Sequence, residues 1–316
     1  MTNFYDNFIK ENWEIDEINQ YVKEDCVKFI REVESEFYEQ IKYVVDCFLK
    51  NKEHRFMMIS GPSSSGKTTV ANMIRKELLI RKIGSESISL DDFYVGLSNL
   101  PVLSDGSRDF ESIEGLDILE IKTCLNNLLK KGYCDMPIYD FSIMSRSDKR
   151  KQLKVKDNDV IIVEGLHAIN PIISENLPEK SVFKVYVGVK SKIYDNKRKV
   201  ISPKGIRLVR RVLRDYNYRD TLPIRTILMW KNVCRGEDLY IKPLRKESDV
   251  FVNTFHGYEE GIMAKKMLEL MGSIPESIKL SNFLKELSLG LSKFEHIDKN
   301  LVPEESLLRE FICLDN

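Results

Sequence analysis

The chain carries no surplus of either charge: 49 lysines and arginines balance 49 aspartates and glutamates. General nucleic-acid binding, which shows as a basic excess, is therefore not expected. Cysteine is scarce. The six (Cys26, Cys47, Cys124, Cys134, Cys234 and Cys313) are scattered, with no C-x-x-C pair. That predicts reduced thiols, against a disulfide framework or a zinc site. No apolar run approaches the length that crosses a bilayer, so no membrane partner is expected. The opening stretch MTNFYDNFIKENWE lacks a basic region followed by an apolar one. No secretory leader is expected there, and the chain reads as cytoplasmic. Internal repeats and low-complexity segments are missing as well. What remains is a globular composition, 42% hydrophobic and 31% charged, with enough apolar material for a core. The 316 residues allow two average domains or one large α/β domain with additions.

Residues 59–69, ISGPSSSGKTT, organise the rest. They fit the phosphate-binding pattern G-x-x-x-x-G-K-[ST], with Gly61, Gly66, Lys67 and Thr68 at the fixed places. An apolar run, 56–59, precedes the motif and reads as a buried strand. Residues 70–80 follow it with Ile74, Leu78 and Leu79 at helical spacing. In that setting the glycines let successive amides face inward around phosphate oxygens. The helix N-terminus adds partial positive charge. Gly61, Ser63, Ser64, Ser65, Gly66, Lys67, Thr68 and Thr69 are the expected nucleotide-binding residues. Lys67 is placed on the β- and γ-phosphates, and the Thr68 hydroxyl on Mg²⁺.

Around this motif, Ile15–Leu49 carries apolar residues at steps of three and four with one gap, which predicts one or two amphipathic helices. Either they pack on the neighbouring core or they form a homo-oligomer contact. Residues 85–90 read as a second strand ending at Asp91 and Asp92, 97–108 as a loop, and 116–131 as a helix closed by Gly132. Residues 136–150 read as irregular, 160–163 and 182–187 as buried strands, 221–230 and 259–271 as helices, and 249–252 as a late strand. Two short helices are expected after Ser273. Strands alternating with helices predict an α/β fold, a parallel sheet covered on both faces. The expected organisation is an N-terminal helical extension over 1–53, a nucleotide-binding domain over 54–272 with an arginine-rich lid near 190–219, and a helical tail over 273–316.

Ligands of open α/β sheets lie at the carboxyl ends of the strands. Two such ends carry acids here, Asp91 after the second strand and Glu164 after 160–163. A carboxylate there can hold Mg²⁺ or take a proton from an attacking hydroxyl. Arg207, Arg210, Arg211 and Arg214 recur at steps of three or four, so one helical face would carry all four guanidinium groups. Such groups suit the equatorial oxygens of a phosphoryl group in transfer. A solvated basic helix is the plainer alternative.

Taken together, these segments resemble the uridine kinase and phosphoribulokinase family of P-loop kinases. The resemblance rests on GPSSSGKTT, SLDDFY (89–94), PIYDF (137–141), VEGLHAIN (163–170) and RLVRRVLRDYNYR (207–219), within about 55–271. VPEESLLREFI (302–312) and RGED (235–238) are similar to a longer bacterial branch of nucleoside kinases, without that branch's threonyl-tRNA-synthetase-like N-terminal region. The resemblance implies a P-loop NTPase-type fold, with ATP and Mg²⁺ as cofactors. It implies Asp91 as general base, Tyr94 beside the acceptor, and Thr68, Glu164 and Asp91 around the metal. Tyr139 and Phe141 match positions lining a nucleoside pocket, and Glu111 falls where an aspartate holds ribose hydroxyls. Arg211, Arg214 and Arg219 match lid positions. Two positions depart from the family pattern: Met144 replaces a base-reading histidine, although Arg146 beside it matches, and Thr221 replaces a lid arginine. His167 lies close to Glu164 in sequence, either facing the site or packed in its loop.

The expected activity is phosphoryl transfer from ATP to the 5′-hydroxyl of a nucleoside, with Lys67, Arg211 and Arg214 stabilising charge. A sugar phosphate or another small alcohol is the alternative acceptor, and a non-catalytic nucleotide-binding protein the third reading.

Overall fold

A computed structural model describes residues 10–141, 143–275 and 281–313. In chain order the strands and helices are β1 (Asn12–Glu14), α1 (Ile15–Leu49), β2 (Phe56–Ser60), α2 (Lys67–Ile80), β3 (Ser85–Ser89) and α3 (Ile118–Lys131). Next come β4 (Tyr133–Met136), β5 (Tyr139–Asp140), β6 (Ser145–Arg146), β7 (Lys151–Lys154), β8 (Val160–Glu164), α4 (Pro171–Ser174) and β9 (Val182–Gly188). The rest are β10 (Lys192–Asp195), β11 (Arg198–Ile201), α5 (Pro203–Tyr218), α6 (Pro223–Gly236), β12 (Val250–Asn253), α7 (Glu259–Gly272) and α8 (Asn282–Leu291).

Five strands pair in parallel in the order β12-β9-β2-β8-β3. Alternate residues of β2 show why these strands read as continuous apolar runs. Met57 and Ile59 join a core with α1, α2, α5, α7 and the tail, while Phe56 and Met58 join a second core with α3 on the other face. Both faces of the sheet are covered, as parallel sheets require.

Local chemistry sets the helix limits. Asp117 caps α3 by accepting from the Glu120 N–H at 3.0 Å, and Gly132 ends it with φ +74°. Ser202 caps α5, with Pro203 in the first turn. Within α1 the backbone leaves the helical region at Asp25 (φ −163°, ψ 88°), whose side chain recaps the helix through the Lys28 N–H at 2.9 Å. This break falls between Val22 and Phe29, the gap in the apolar spacing. Past it, Phe29, Val33, Phe37, Ile41, Val44 and Phe48 are buried in the core that the tail residues Leu307, Leu308 and Phe311 share.

Three local features differ from the sequence reading. The region 136–150 contains the antiparallel β5–β6 pair and is bracketed by β4 and β7, which pair antiparallel with each other. These strands are two to four residues long, too short to show a period. The basic stretch over 190–219 divides. Its first part is the β10–β11 hairpin, in which β10 also pairs with β1, and only α5 reaches the phosphate loop. The buried sulfurs of Cys124 and Cys134, expected as reduced thiols, are instead joined to each other across the α3–β4 turn. No helix among the described residues is long and apolar enough to cross a membrane.

Candidate active site

Strand register brings the acids to the phosphate loop. Glu164 stands opposite Ile59 of β2 and Ser89 of β3, so the loop after β2, Glu164, and Asp91 after β3 meet at one edge of the sheet. The loop can only be built as written. A Cβ on Gly61 would lie 1.9 Å from the Val187 carbonyl oxygen of β9, which excludes any side chain there. Ser64 takes a positive φ of 58° and Gly66 one of 84°, turning the amides inward before α2 begins. The buried Ser64 and Ser65 hydroxyls have no partner among the described residues.

Lys67 Nζ donates to the Pro62 carbonyl at 3.3 Å, folded back over its own loop. Desolvation lowers the Lys67 pKa, while Glu164, Asp91, Glu310 and Glu111 oppose that shift. Four carboxylates therefore share the field of one ammonium. Glu164 is buried and accepts a 2.7 Å hydrogen bond from Ser89 Oγ; burial, then the nearby Asp91, raises its pKa. Asp91 is exposed to solvent, as is Thr68 in the first turn of α2. Desolvation by the surrounding walls pushes the Asp91 carboxyl up, against Lys67, Arg219 and Arg214. Asp91 thus lies within the reach of the same cations that would meet a phosphoryl group.

Beyond Asp91 lies an aromatic wall. Tyr94, Tyr139 and Phe141 pack with centroid separations of 5.8 Å between Tyr94 and Tyr139 and 4.9 Å between Tyr139 and Phe141. Tyr94 is held by donating to the Phe110 carbonyl at 2.7 Å, whereas the buried Tyr139 hydroxyl has no partner among the described residues. Phe141 is 53% exposed and forms the open lip. Met144 sits on the β5–β6 turn with a positive φ of 53°. Arg146 is committed elsewhere: it donates to the Tyr94 and Phe93 carbonyls at 2.8 and 3.0 Å and pairs with Glu120 at 2.7 Å. It braces the segment that carries Tyr94.

Glu111 is buried, and desolvation pushes its pKa to about 7, with Arg211 and Lys67 pulling it down. His167 stands behind it, buried, with Nε2 donating to the Glu111 carbonyl at 2.8 Å. Burial lowers the His167 pKa to about 4, which keeps the ring neutral. Its role here is to position the Glu111 backbone.

The arginine helix corrects the one-face reading. Arg210 turns into the core, 0% exposed, where Glu259 accepts from it at 2.6 and 3.0 Å and the Thr254 carbonyl at 2.6 Å. Arg207, 1% exposed, pairs with Glu237 and donates to the Ser63 carbonyl at 3.1 Å. Arg211 donates to Ser63 Oγ at 2.7 Å. Arg211, Arg214 and Arg219 all pair with Asp215, at 3.4, 2.9 and 3.6 Å. Two of the four arginines, Arg207 and Arg210, are thus buried and paired within the fold.

Asp215 and the RGED stretch lie in segments quoted above, but the sequence assigned them no contacts. Asp215 follows the arginines directly and gathers three of them. The RGED stretch connects to the site position by position. Arg235 pairs with Asp109 at 3.3 Å, the Gly236 Cα faces the Glu111 side chain, Glu237 pairs with Arg207, and Asp238 pairs with Lys204 at 2.9 Å. Only spacing relative to partners far along the chain would have revealed these contacts.

A phosphate loop on a five-stranded parallel sheet, with acids and arginines converging on it, defines a phosphoryl-transfer fold. The model of the Phosphoribulokinase / Uridine kinase family matches residues 56–257, and the chain belongs to that family of small-molecule kinases. Uridine kinase of Ureaplasma parvum serovar 3 is 28% identical over 205 residues, 65% of this chain and 90% of its own. Uridine kinase of Mycoplasma genitalium is 27% identical over 195 residues, 61% of this chain and 82% of its own. Among solved structures, phosphoribulokinase from Rhodobacter spheroides is similar over 63% of this chain and 70% of its own, with 15% identity and a TM-score of 0.41.

Proposed function

We propose that the chain transfers the γ-phosphoryl group of ATP to the 5′-hydroxyl of a nucleoside. The observation that carries this reading is the place of Asp91 just past the end of β3, where Ser89 stands opposite Glu164, on the same short segment as Tyr94, whose ring packs on Tyr139. The phosphate-loop residues Gly61, Ser63, Ser64, Ser65, Gly66, Lys67, Thr68 and Thr69 hold the triphosphate. A flat base lies against Tyr139 and Phe141, whose faces suit it better than a phosphate. The orphaned Tyr139 hydroxyl is available to a polar group of the base. Glu111 takes the ribose hydroxyls, and Tyr94 lies beside the acceptor.

In the transfer step the Asp91 carboxylate accepts the proton of the acceptor hydroxyl. That oxygen forms its bond to the γ-phosphorus as the bond from the β–γ bridging oxygen to that phosphorus breaks, and ADP leaves with the bond's electron pair. Lys67, Arg211, Arg214 and Arg219 neutralise the charge spread over the phosphoryl oxygens. Mg²⁺ would be held by Thr68, Glu164 and Asp91 and would supply further charge neutralisation. Among the described residues no three His, Cys, Asp or Glu side chains form a cage. A hydroxyl beside one or two carboxylates suits an ion that takes its remaining ligands from phosphate and water.

The test is incubation with ATP and a panel of nucleosides and sugar phosphates. A nucleoside 5′-monophosphate and ADP in equal amounts are expected. Transfer to sugar phosphates with no nucleoside product would overturn the assignment. That second reading draws on one observation, the commitment of Arg146 to Glu120 and backbone carbonyls, which leaves the β5–β6 turn without it as a base reader.

A further inference from the structure

The C-terminal segment brings an acid to the phosphate loop that no part of the transfer step uses. Thr69 Oγ1, in the first turn of α2, donates to Glu310 Oε2 at 2.8 Å. The other oxygen of Glu310 lies 3.9 Å from Arg214 Nη1. We propose that Glu310 is an internal competitor for the phosphate site, taking the Thr69 proton and Arg214 charge that a nucleotide phosphate would otherwise take, and so limiting nucleotide affinity. This rests on the nucleotide-binding reading given above.

Three observations support it. A hydroxyl has one proton, so Thr69 can donate to Glu310 or to a phosphate oxygen and not to both. The helix N-terminus favours an anion, and a carboxylate there partly occupies what a phosphate would. Finally, Glu310 cannot simply retreat with its backbone. Leu307, Leu308 and Phe311 around it are fully buried, and Leu307 sits against the Gly66 Cα. Asn217 Nδ2 donates to the Phe311 carbonyl at 3.0 Å, and the Tyr218 hydroxyl to the Ile312 carbonyl at 2.5 Å. Only the Glu310 side chain can yield, and its charge stays close to any bound polyphosphate.

The experiment is calorimetric titration of ATP into the full chain and its variants. Glu310→Gln is isosteric and is expected to bind ATP about three- to tenfold more tightly, as removal of one charge-assisted contact from the competing side implies. Glu310→Ala, expected to tighten binding likewise, serves if the glutamine variant fails to fold. Glu305→Gln removes the same charge from the same segment, where Glu305 pairs with Lys76 at the surface, and is expected to bind like wild type. In a Thr69→Val background the gain from Glu310→Ala, which removes the acceptor as well as the charge, should shrink. Equal or weaker ATP binding by Glu310→Gln would overturn the proposal while leaving the nucleotide reading intact. Failure of wild type and variant alike to bind ATP would overturn both.

Discussion

Adding one methyl group at Gly236 should disable the acceptor side while sparing the nucleotide side. A Cβ there would lie 2.2 Å from Glu111 Cβ and 2.7 Å from its Cγ. Ordinary contact begins at 3.4 Å, so the two must separate by about 1.2 Å. Neither side gives easily. The Glu111 N–H is bound to Asp109 Oδ1 at 3.0 Å, the Glu111 carbonyl is held by His167, and Asp109 is held by Arg235 and by the Tyr240 hydroxyl at 3.3 Å each. Alanine improves helix propensity by about 1 kcal/mol, but overpacking typically costs about 1–3 kcal/mol, so a modest net loss of stability is expected. The functional effect should be larger, because a displacement of about 1 Å in a site can cost about 10²-fold in rate. Steady-state kinetics of Gly236→Ala should show kcat/KM for the acceptor reduced about 10²-fold, with ATP affinity by calorimetry within about twofold of wild type. Acceptor kcat/KM within twofold of wild type would refute the reasoning.

Other consequences are equally open to measurement. Because burial raises the Glu111 pKa to about 7, the carboxyl is protonated below that pH and becomes a pure acceptor for hydroxyls above it. Acceptor kcat/KM should rise with pH up to about 7 and level off, and Glu111→Gln should flatten that rise. Glu260 is buried without a partner among the described residues, and desolvation and the neighbouring Glu259 push its carboxyl well above the usual range. A folded-state pKa raised in this way contributes stability at low pH that is lost as pH rises above the ordinary carboxylate range. Thermal denaturation of Glu260→Gln should therefore show a shallower loss of stability with pH than wild type. Arg210→Ala would leave Glu259 charged in the core and should destabilise the fold by about 3–5 kcal/mol in urea, a loss that an exposed lid residue would not produce.

How far the sequence reached depended on whether a signal was local. The strand–loop–helix around Lys67 was legible because its glycines, lysine and flanking periodicity lie within twenty-five residues. The break in α1 showed as a gap in the apolar spacing, since a helix that recaps at Asp25 restarts its phase. The β4–β7 and β5–β6 pairs were hidden because strands of two to four residues have no period to read. Arg210 looked identical to Arg211 and Arg214 in spacing. What separates it is Glu259, 49 residues away, which only the packing of α5 on α7 brings into contact. Gly236 was overlooked for the same reason, since it meets Glu111 only in the fold, whereas Asp215 pairs with Arg211 and Arg219 at a spacing of four that the sequence itself displays. Glu310, in the tail, meets Thr69 across 241 residues of sequence.

The most direct measurement is single-turnover phosphoryl transfer by Asp91→Asn beside wild type, with ATP affinity measured on the same preparations. Asparagine keeps the shape of the side chain and removes its ability to accept the hydroxyl proton. The account predicts transfer slowed by about 10²–10⁴-fold with ATP binding largely retained. Near-normal transfer by that variant would contradict it.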